Sequence, residues 1–112
     1  MKAKTPFELV AADPVTIRGP LRFGCELKGK KATSFVMREA TTDDVLAAEA
    51  DAHAVNTPLT YEVALAARQL VSIGDFEGPF TLGVLREKLS KPADIQRLRM
   101  AQVEIDRLVG EG

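Results

Sequence analysis

Apolar and polar residues alternate with a period of two over residues 21–27, which is the pattern of a strand with one buried face. A second run rich in strand-forming residues, 32–38, is its predicted partner. A two-residue turn at Gly29-Lys30 would join them and place Gly24 opposite Phe35, whose ring could cover the bare glycine backbone. The pattern therefore predicts a β-hairpin over residues 21–38.

The period changes to that of a helix at Thr41, which is followed three residues later by Asp44. A threonine cap with an acid at this spacing is the signature of a helix N-terminus, and the alanine-rich run behind it continues the helical pattern. Further apolar stripes at helical spacing follow, separated by proline and glycine. The predicted helices cover about residues 42–54, 60–73, 82–89 and 92–109.

The first 20 residues contain Pro6, Pro14, Gly19 and Pro20, which leave room for only short extended pieces. We interpret residues 1–20 as an extended N-terminal arm. Residues 21–112 then form a single domain of a size that folds without disulfides or metals. The fold class predicted is α+β, a small antiparallel hairpin or meander followed by three to four helices.

Charge is unevenly distributed along the 112 residues, although the whole chain carries a formal net charge of only −1. Residues 1–31 have a net charge of +4, residues 32–81 of −6 and residues 82–112 of +1. Such polarity could guide a partner, or a second copy of the chain, into register, but ordinary solvated faces explain it as well. A slightly acidic chain with 5% aromatic residues and no tryptophan is not typical of a nucleic-acid-binding protein.

Candidate chemistry is sparse. His53 is the single histidine and Cys25 the single cysteine, so the sequence contains no histidine cluster or Cys-x-x-Cys pair for a metal. Cys25 lies in an alternating run typical of a buried thiol, and His53 lies near a predicted helix end, where it could contact the helix dipole. We therefore expect no catalytic residues, no cofactor, no metal and no enzymatic activity.

Targeting segments are also not indicated. No apolar run approaches the roughly 18 residues of a membrane span, and residues 1–6 lack the apolar core of a secretion signal. We expect a cytoplasmic protein without a membrane partner.

The stretch Met37-Arg38-Glu39-Ala40-Thr41-Thr42-Asp43-Asp44, placed between a hairpin and an alanine-rich helix, resembles the tail assembly chaperones of Mu-like contractile-tailed phages, often labelled tail protein E. That family commonly has a hydrophobic-Arg-Glu-Pro-Thr-like stretch followed by an aspartate, and Ala40 replaces the proline here. The similarity extends over about residues 20–109.

The resemblance implies a non-enzymatic protein of the host bacterial cytoplasm that binds the tape measure protein until tail-tube subunits polymerise around it. A tail-tube subunit and a second copy of the chain stay open as further partners. Two other functions also stay open: a structural tail or adaptor module present in the virion, and a small DNA-binding protein that uses the basic N-terminal third. A small enzyme that uses Cys25 has no supporting motif.

The last predicted helix has the strongest periodicity of the chain. A groove for amphipathic helical segments of the tape measure protein could be formed by its apolar stripe. The same stripe could equally face the core of the chain itself. The candidate partner-binding residues are Ile95, Leu98, Gln102, Ile105 and Val109.

Overall fold

The computed structural model describes residues 6–53 and 58–111. Four strands pair in the order β1-β2-β3-β4, and every neighbouring pair is antiparallel. The strands are β1 (Glu8–Ala12), β2 (Val15–Leu27), β3 (Lys30–Arg38) and β4 (Leu70–Ile73). The helices are α1 (Thr42–His53), α2 (Pro58–Gln69), α3 (Leu82–Lys88) and α4 (Pro92–Glu111). The predicted α+β class is confirmed.

The core lies between one face of the sheet and the helices. Helix α4 packs mainly against β2, and α2 lies beside α1, α3 and α4. Most alternate residues of β2 and β3 point inward, as the period-two pattern predicted, but Phe23, on the predicted buried face, is exposed. The largest fully buried apolar side chains are Ile17, Phe35, Met37, Ile73, Leu85, Leu98 and Ile105.

The register of the hairpin differs from the prediction. Its turn is Lys28-Gly29, both residues having positive φ (52° and 78°), as two-residue hairpin turns of type I′ require. A bulge interrupts the pairing further along β2. Residues 21–24 of β2 lie opposite a single residue of β3, because Pro20 pairs with Ser34 and Cys25 with Ala32. Period-two patterning cannot show such a bulge, since the flanking residues still alternate.

The glycine opposite Phe35 is therefore Gly19, and the predicted pairing of Gly24 was wrong. A Cβ atom on Gly19 would lie 2.5 Å from Phe7 Cδ1 and 3.1 Å from Phe35 Cζ. Two aromatic rings thus cover the backbone of a glycine, but this glycine is Gly19 and not the predicted Gly24.

The extended arm predicted over residues 1–20 is not separate from the domain. Residues 8–12 form β1 and residues 15–20 are the first half of β2, while residues 1–5 lie outside the described ones. The predicted breakers fit the sheet, because Pro14 lies in the turn between the strands and Pro20 lies at the bulge, where a missing N–H is tolerated.

The second helix also differs from its prediction of residues 60–73. Helix α2 ends at Gln69, and residues 70–73 form β4, which pairs with β3. The spacing of Leu70 and Ile73 fits the apolar face of a helix as well as a short buried strand. They form a strand because the edge of β3 is free to pair with them. The other helices match their predicted positions within two residues, although residue 54 lies outside the described range.

Candidate partner-binding site

The stretch that resembles the phage family forms the joint between sheet and helices. The Thr41 hydroxyl accepts a hydrogen bond from the Asp44 backbone N–H (3.1 Å), and the Asp44 carboxylate accepts one from the Thr41 N–H (2.8 Å), as in a capping box. Arg38, at the end of β3, donates to both Asp44 oxygens (2.7 and 3.3 Å). Burial acts to raise the pKa of Asp44, but the bonds from Arg38 and Thr41 together lower it below its usual value.

Glu39 fixes the same joint to the start of the neighbouring strand, β2. Its carboxylate accepts a hydrogen bond from the Val15 N–H (2.8 Å), and its own N–H donates to the Val15 carbonyl (2.7 Å). Arg38, Glu39 and Asp44 are therefore engaged in hydrogen bonds within the chain, which gives them a structural role.

A second polar chain connects the joint to α4. The Gln69 amide, which is buried, donates to the Arg38 carbonyl (3.0 Å), and Gln102 donates to the Gln69 side-chain oxygen (3.0 Å). Gln102 also donates to the Glu62 carbonyl (3.2 Å). Gln102, a predicted partner-binding residue, is thus a half-buried link between α2 and α4.

The other predicted partner-binding residues divide into core and surface. Leu98 and Ile105 are fully buried in the chain's own core and offer no surface to a partner in this conformation. Ile95 is half-buried, and Val109 is exposed near the end of α4. The stripe therefore faces mainly inward, which is the alternative that its periodicity left open.

An apolar groove lies between α2, α3 and α4 at the position of Ile95. Its volume is about 610 Å³, within the range of ligand and peptide sites. Leu59 stands on its rim with 54% of its surface exposed, whereas Val63 and Leu89 form a buried floor. The further apolar lining residues are Leu82 and Pro92.

The groove is positively charged at its margin. Arg86 and Arg99 line it, and no carboxylate does among the described residues. Arg99 is paired with Glu62 of α2, whereas Arg86 has no ion pair in the described part of the chain. The groove therefore favours an occupant that is apolar on one side and carries negative charge beside it.

A second depression of about 340 Å³ continues the groove along α2 and α4, sharing Gln96 and Arg99 with it. Exposed Met100 and Val103 line this part. From Pro92 to Asp106, α4 rises roughly 21 Å at 1.5 Å per residue. The two depressions together therefore offer a path long enough for several turns of a helix.

Asp94, in the first turn of α4, fixes this helix to the sheet. It is 0% exposed, and its carboxylate accepts three backbone hydrogen bonds from the β2 bulge: from Arg22 (2.6 Å), Phe23 (2.9 Å) and Gly24 (3.1 Å). No pattern in the sequence predicted this role. The only sequence signal is an acid in the first helical turn, which a helix-dipole contact explains equally well.

Of the candidate reactive residues, Cys25 is the one whose side chain the structure describes. Cys25 is a buried free thiol whose pKa is raised, first by burial and then by the negative charge of Asp94. The side chain of His53 lies outside the described part of the structure. Among the described residues, no group of three histidine, cysteine or acidic side chains could hold a metal ion. No helix in the described ranges has the length and apolar character needed to cross a membrane.

Comparison with known proteins agrees with the motif at the joint. A family model described as "Tail assembly protein gp41" matches residues 21–112, which is most of the chain and includes the second half of β2, β3, the joint and the described helices. No curated protein and no solved structure matches. The resemblance to tail assembly proteins of Mu-like phages is confirmed. The chain therefore belongs to the phage Mu tail assembly protein gp41 family.

Proposed function

We propose that this phage tail assembly protein is a chaperone that binds helical segments of the tape measure protein in the groove between α2, α3 and α4. A tape measure protein is largely a long helix, and its apolar stripe must be covered until the tail tube forms around it. The groove is the observation that carries the proposal, because it joins exposed apolar side chains into one path along two helices.

The exposure of the groove side chains supports reversible binding of a separate partner over permanent packing within the core of the chain. Leu59 and Val103 are more than half exposed although they lie beside buried apolar residues. Covering such side chains is favourable by about 25 cal/mol for each Å² removed from water. A segment with apolar residues at helical spacing would therefore gain energy here without any rearrangement of the core.

The chaperone is proposed to act in the host cytoplasm, without catalysis and without a cofactor. Support for the absence of catalysis comes from the internal hydrogen bonds of Arg38, Glu39 and Asp44 and from the burial of Cys25. We also propose a tail-tube subunit as a partner, which would contact the chain beside the groove during tail assembly.

Co-expression tests the proposal. The tape measure protein of the same phage is produced with and without this chain, and its soluble fraction and co-elution in size-exclusion chromatography are measured. We expect the soluble fraction to rise and a complex to elute. A tape measure protein that stays insoluble, or that elutes apart from the chain, would contradict the proposal.

A structural tail or adaptor protein is the second candidate, and mass spectrometry of purified phage particles separates the two. A chaperone should be lost before the tail matures, so it should be missing from the particles. Its presence at a fixed stoichiometry would favour the structural function instead.

A further inference from the structure

An exposed aromatic ring lies among positive charges at the β2 bulge, on a surface separate from the groove. Phe23 is 49% exposed. The Arg22 guanidinium lies 5.2 Å from the centre of its ring, and the Lys91 ammonium lies 5.9 Å from it. The ring is thus flanked by two cations from different elements, a strand and the start of α4.

A further lysine extends this surface. A Cβ atom on Gly24 would lie 3.3 Å from Lys31 Cε, so the Lys31 side chain runs alongside the bulge. We name these residues the basic–aromatic patch: Arg22, Phe23, Lys31 and Lys91.

Negative charge does not neutralise the patch. Asp94 is buried beneath it, and its carboxylate is occupied by the backbone of the bulge. Glu26 lies opposite Lys31 in the strand register, but among the described residues no ion pair joins a carboxylate to Arg22, Lys31 or Lys91.

The backbone beneath Phe23 is also held in place. Three hydrogen bonds to Asp94 fix the backbone that carries Arg22 and Phe23, so little conformational freedom is lost when a partner binds. Aromatic and arginine side chains on a fixed backbone are the residue types that dominate binding energy at protein interfaces. Phe23 packs in no core cluster, so folding alone does not explain an exposed ring here.

We propose that the basic–aromatic patch binds an acidic segment of a partner protein, in which an apolar side chain covers Phe23 and carboxylates contact the surrounding lysines and Arg22. Charge complementarity selects the acids, and the ring selects the apolar residue between them. A protein segment fits better than nucleic acid, because one ring is too few for a stacking platform and the whole chain is net acidic. This site is independent of the groove.

Fluorescence anisotropy with the full-length chain tests the site. The probe is a short fluorescein-labelled peptide in which Glu-Glu-Leu-Phe is repeated, and the comparison peptide has lysine in place of each glutamate. We expect the acidic peptide to bind and the lysine peptide not to bind, and the affinity for the acidic peptide should fall as salt is added. The double substitution Arg22→Glu with Lys91→Glu should weaken binding at least about tenfold, and Phe23→Ser should weaken it several-fold.

Lys30→Glu is the matched control, because Lys30 is an exposed lysine outside the patch. It should change the affinity less than about twofold. Thermal unfolding of all variants should match that of the wild type, since the substituted side chains are exposed. Equal loss with Lys30→Glu, no loss with Phe23→Ser, or tighter binding of a duplex DNA probe than of the acidic peptide would each overturn the proposal.

Discussion

Replacing Asp94 by alanine should destabilise the protein more than any other single change at a charged residue described here. The substitution removes the acceptor of three backbone N–H groups and leaves the bulge without partners on that side. Each lost bond costs about 1 kcal/mol, since the exposed side of the bulge lets water replace part of it. Loss of a favourable helix-dipole contact adds about 0.5 kcal/mol.

The expected total is therefore about 3–4 kcal/mol, a large share of the 5–15 kcal/mol that stabilises a typical domain. For a chain of this size it corresponds to a fall in melting temperature of about 12–16 °C. Urea unfolding and thermal unfolding, both followed by circular dichroism, measure it. Asp94→Asn, which keeps one acceptor oxygen and the shape of the side chain, should lose about half as much.

Asp106→Ala is the control, because Asp106 is an exposed acid on the same helix. It should stay within about 0.5 kcal/mol of the wild type. If Asp94→Ala were equally mild, the carboxylate would not hold the bulge. Asp94 would then neither fix α4 to the sheet nor hold the backbone of the basic–aromatic patch.

Three further predictions concern the joint, the glycine and the thiol. The native pKa of Asp44 is lowered from its usual 3.8, so its contribution of about 1–2 kcal/mol is present at neutral pH and is lost as pH falls through the native value; wild type and Asp44→Asn should converge in acid, and a constant difference in urea unfolding would contradict this. Gly19→Ala should cost about 1–2 kcal/mol, because its Cβ would meet the Phe7 ring at 2.5 Å; unchanged stability would refute that contact. Cys25 should react with a thiol reagent at least about tenfold more slowly in native than in denatured protein, and equal rates would revive the enzyme alternative.

Local patterns were sufficient where local interactions decide the structure. The Thr41–Asp44 capping box is visible in the sequence because its partners are three residues apart, and the structure contains both of its hydrogen bonds. Thr81 likewise caps α3 by accepting a hydrogen bond from the Val84 N–H, again over three residues. Both helix starts were therefore predictable.

Long-range pairing decided the elements that were missed. Residues 70–73 become a strand because β3 offers them an open edge, and residues 8–12 become one because β2 does. Neither edge can be seen from composition, since short apolar runs suit helix and strand alike. The contact of Asp94 with the bulge spans more than 70 positions of sequence and has no local signature.

The groove was only partly predictable for the same reason. The periodicity of α4 identified one of its lining residues, Ile95, but could not tell that Leu98 and Ile105 turn toward the core. The rim residue Leu59 belongs to α2, and its position beside Ile95 follows from the packing of helices that are distant in sequence. Tertiary packing, and not the stripe alone, determines the surface left for a partner.

The affinity of the chain for helical fragments of its tape measure protein, measured by isothermal titration calorimetry with a pair of matched variants, tests the proposed function most directly. Leu59→Glu places a charge on the groove rim, and Leu46→Glu makes the same change at an equally exposed residue of α1 (54% and 57% exposed). We predict that Leu59→Glu weakens binding at least about tenfold while Leu46→Glu stays near the wild type. Equal affinities for the two variants, or no binding by the wild type, would contradict a chaperone that uses this groove.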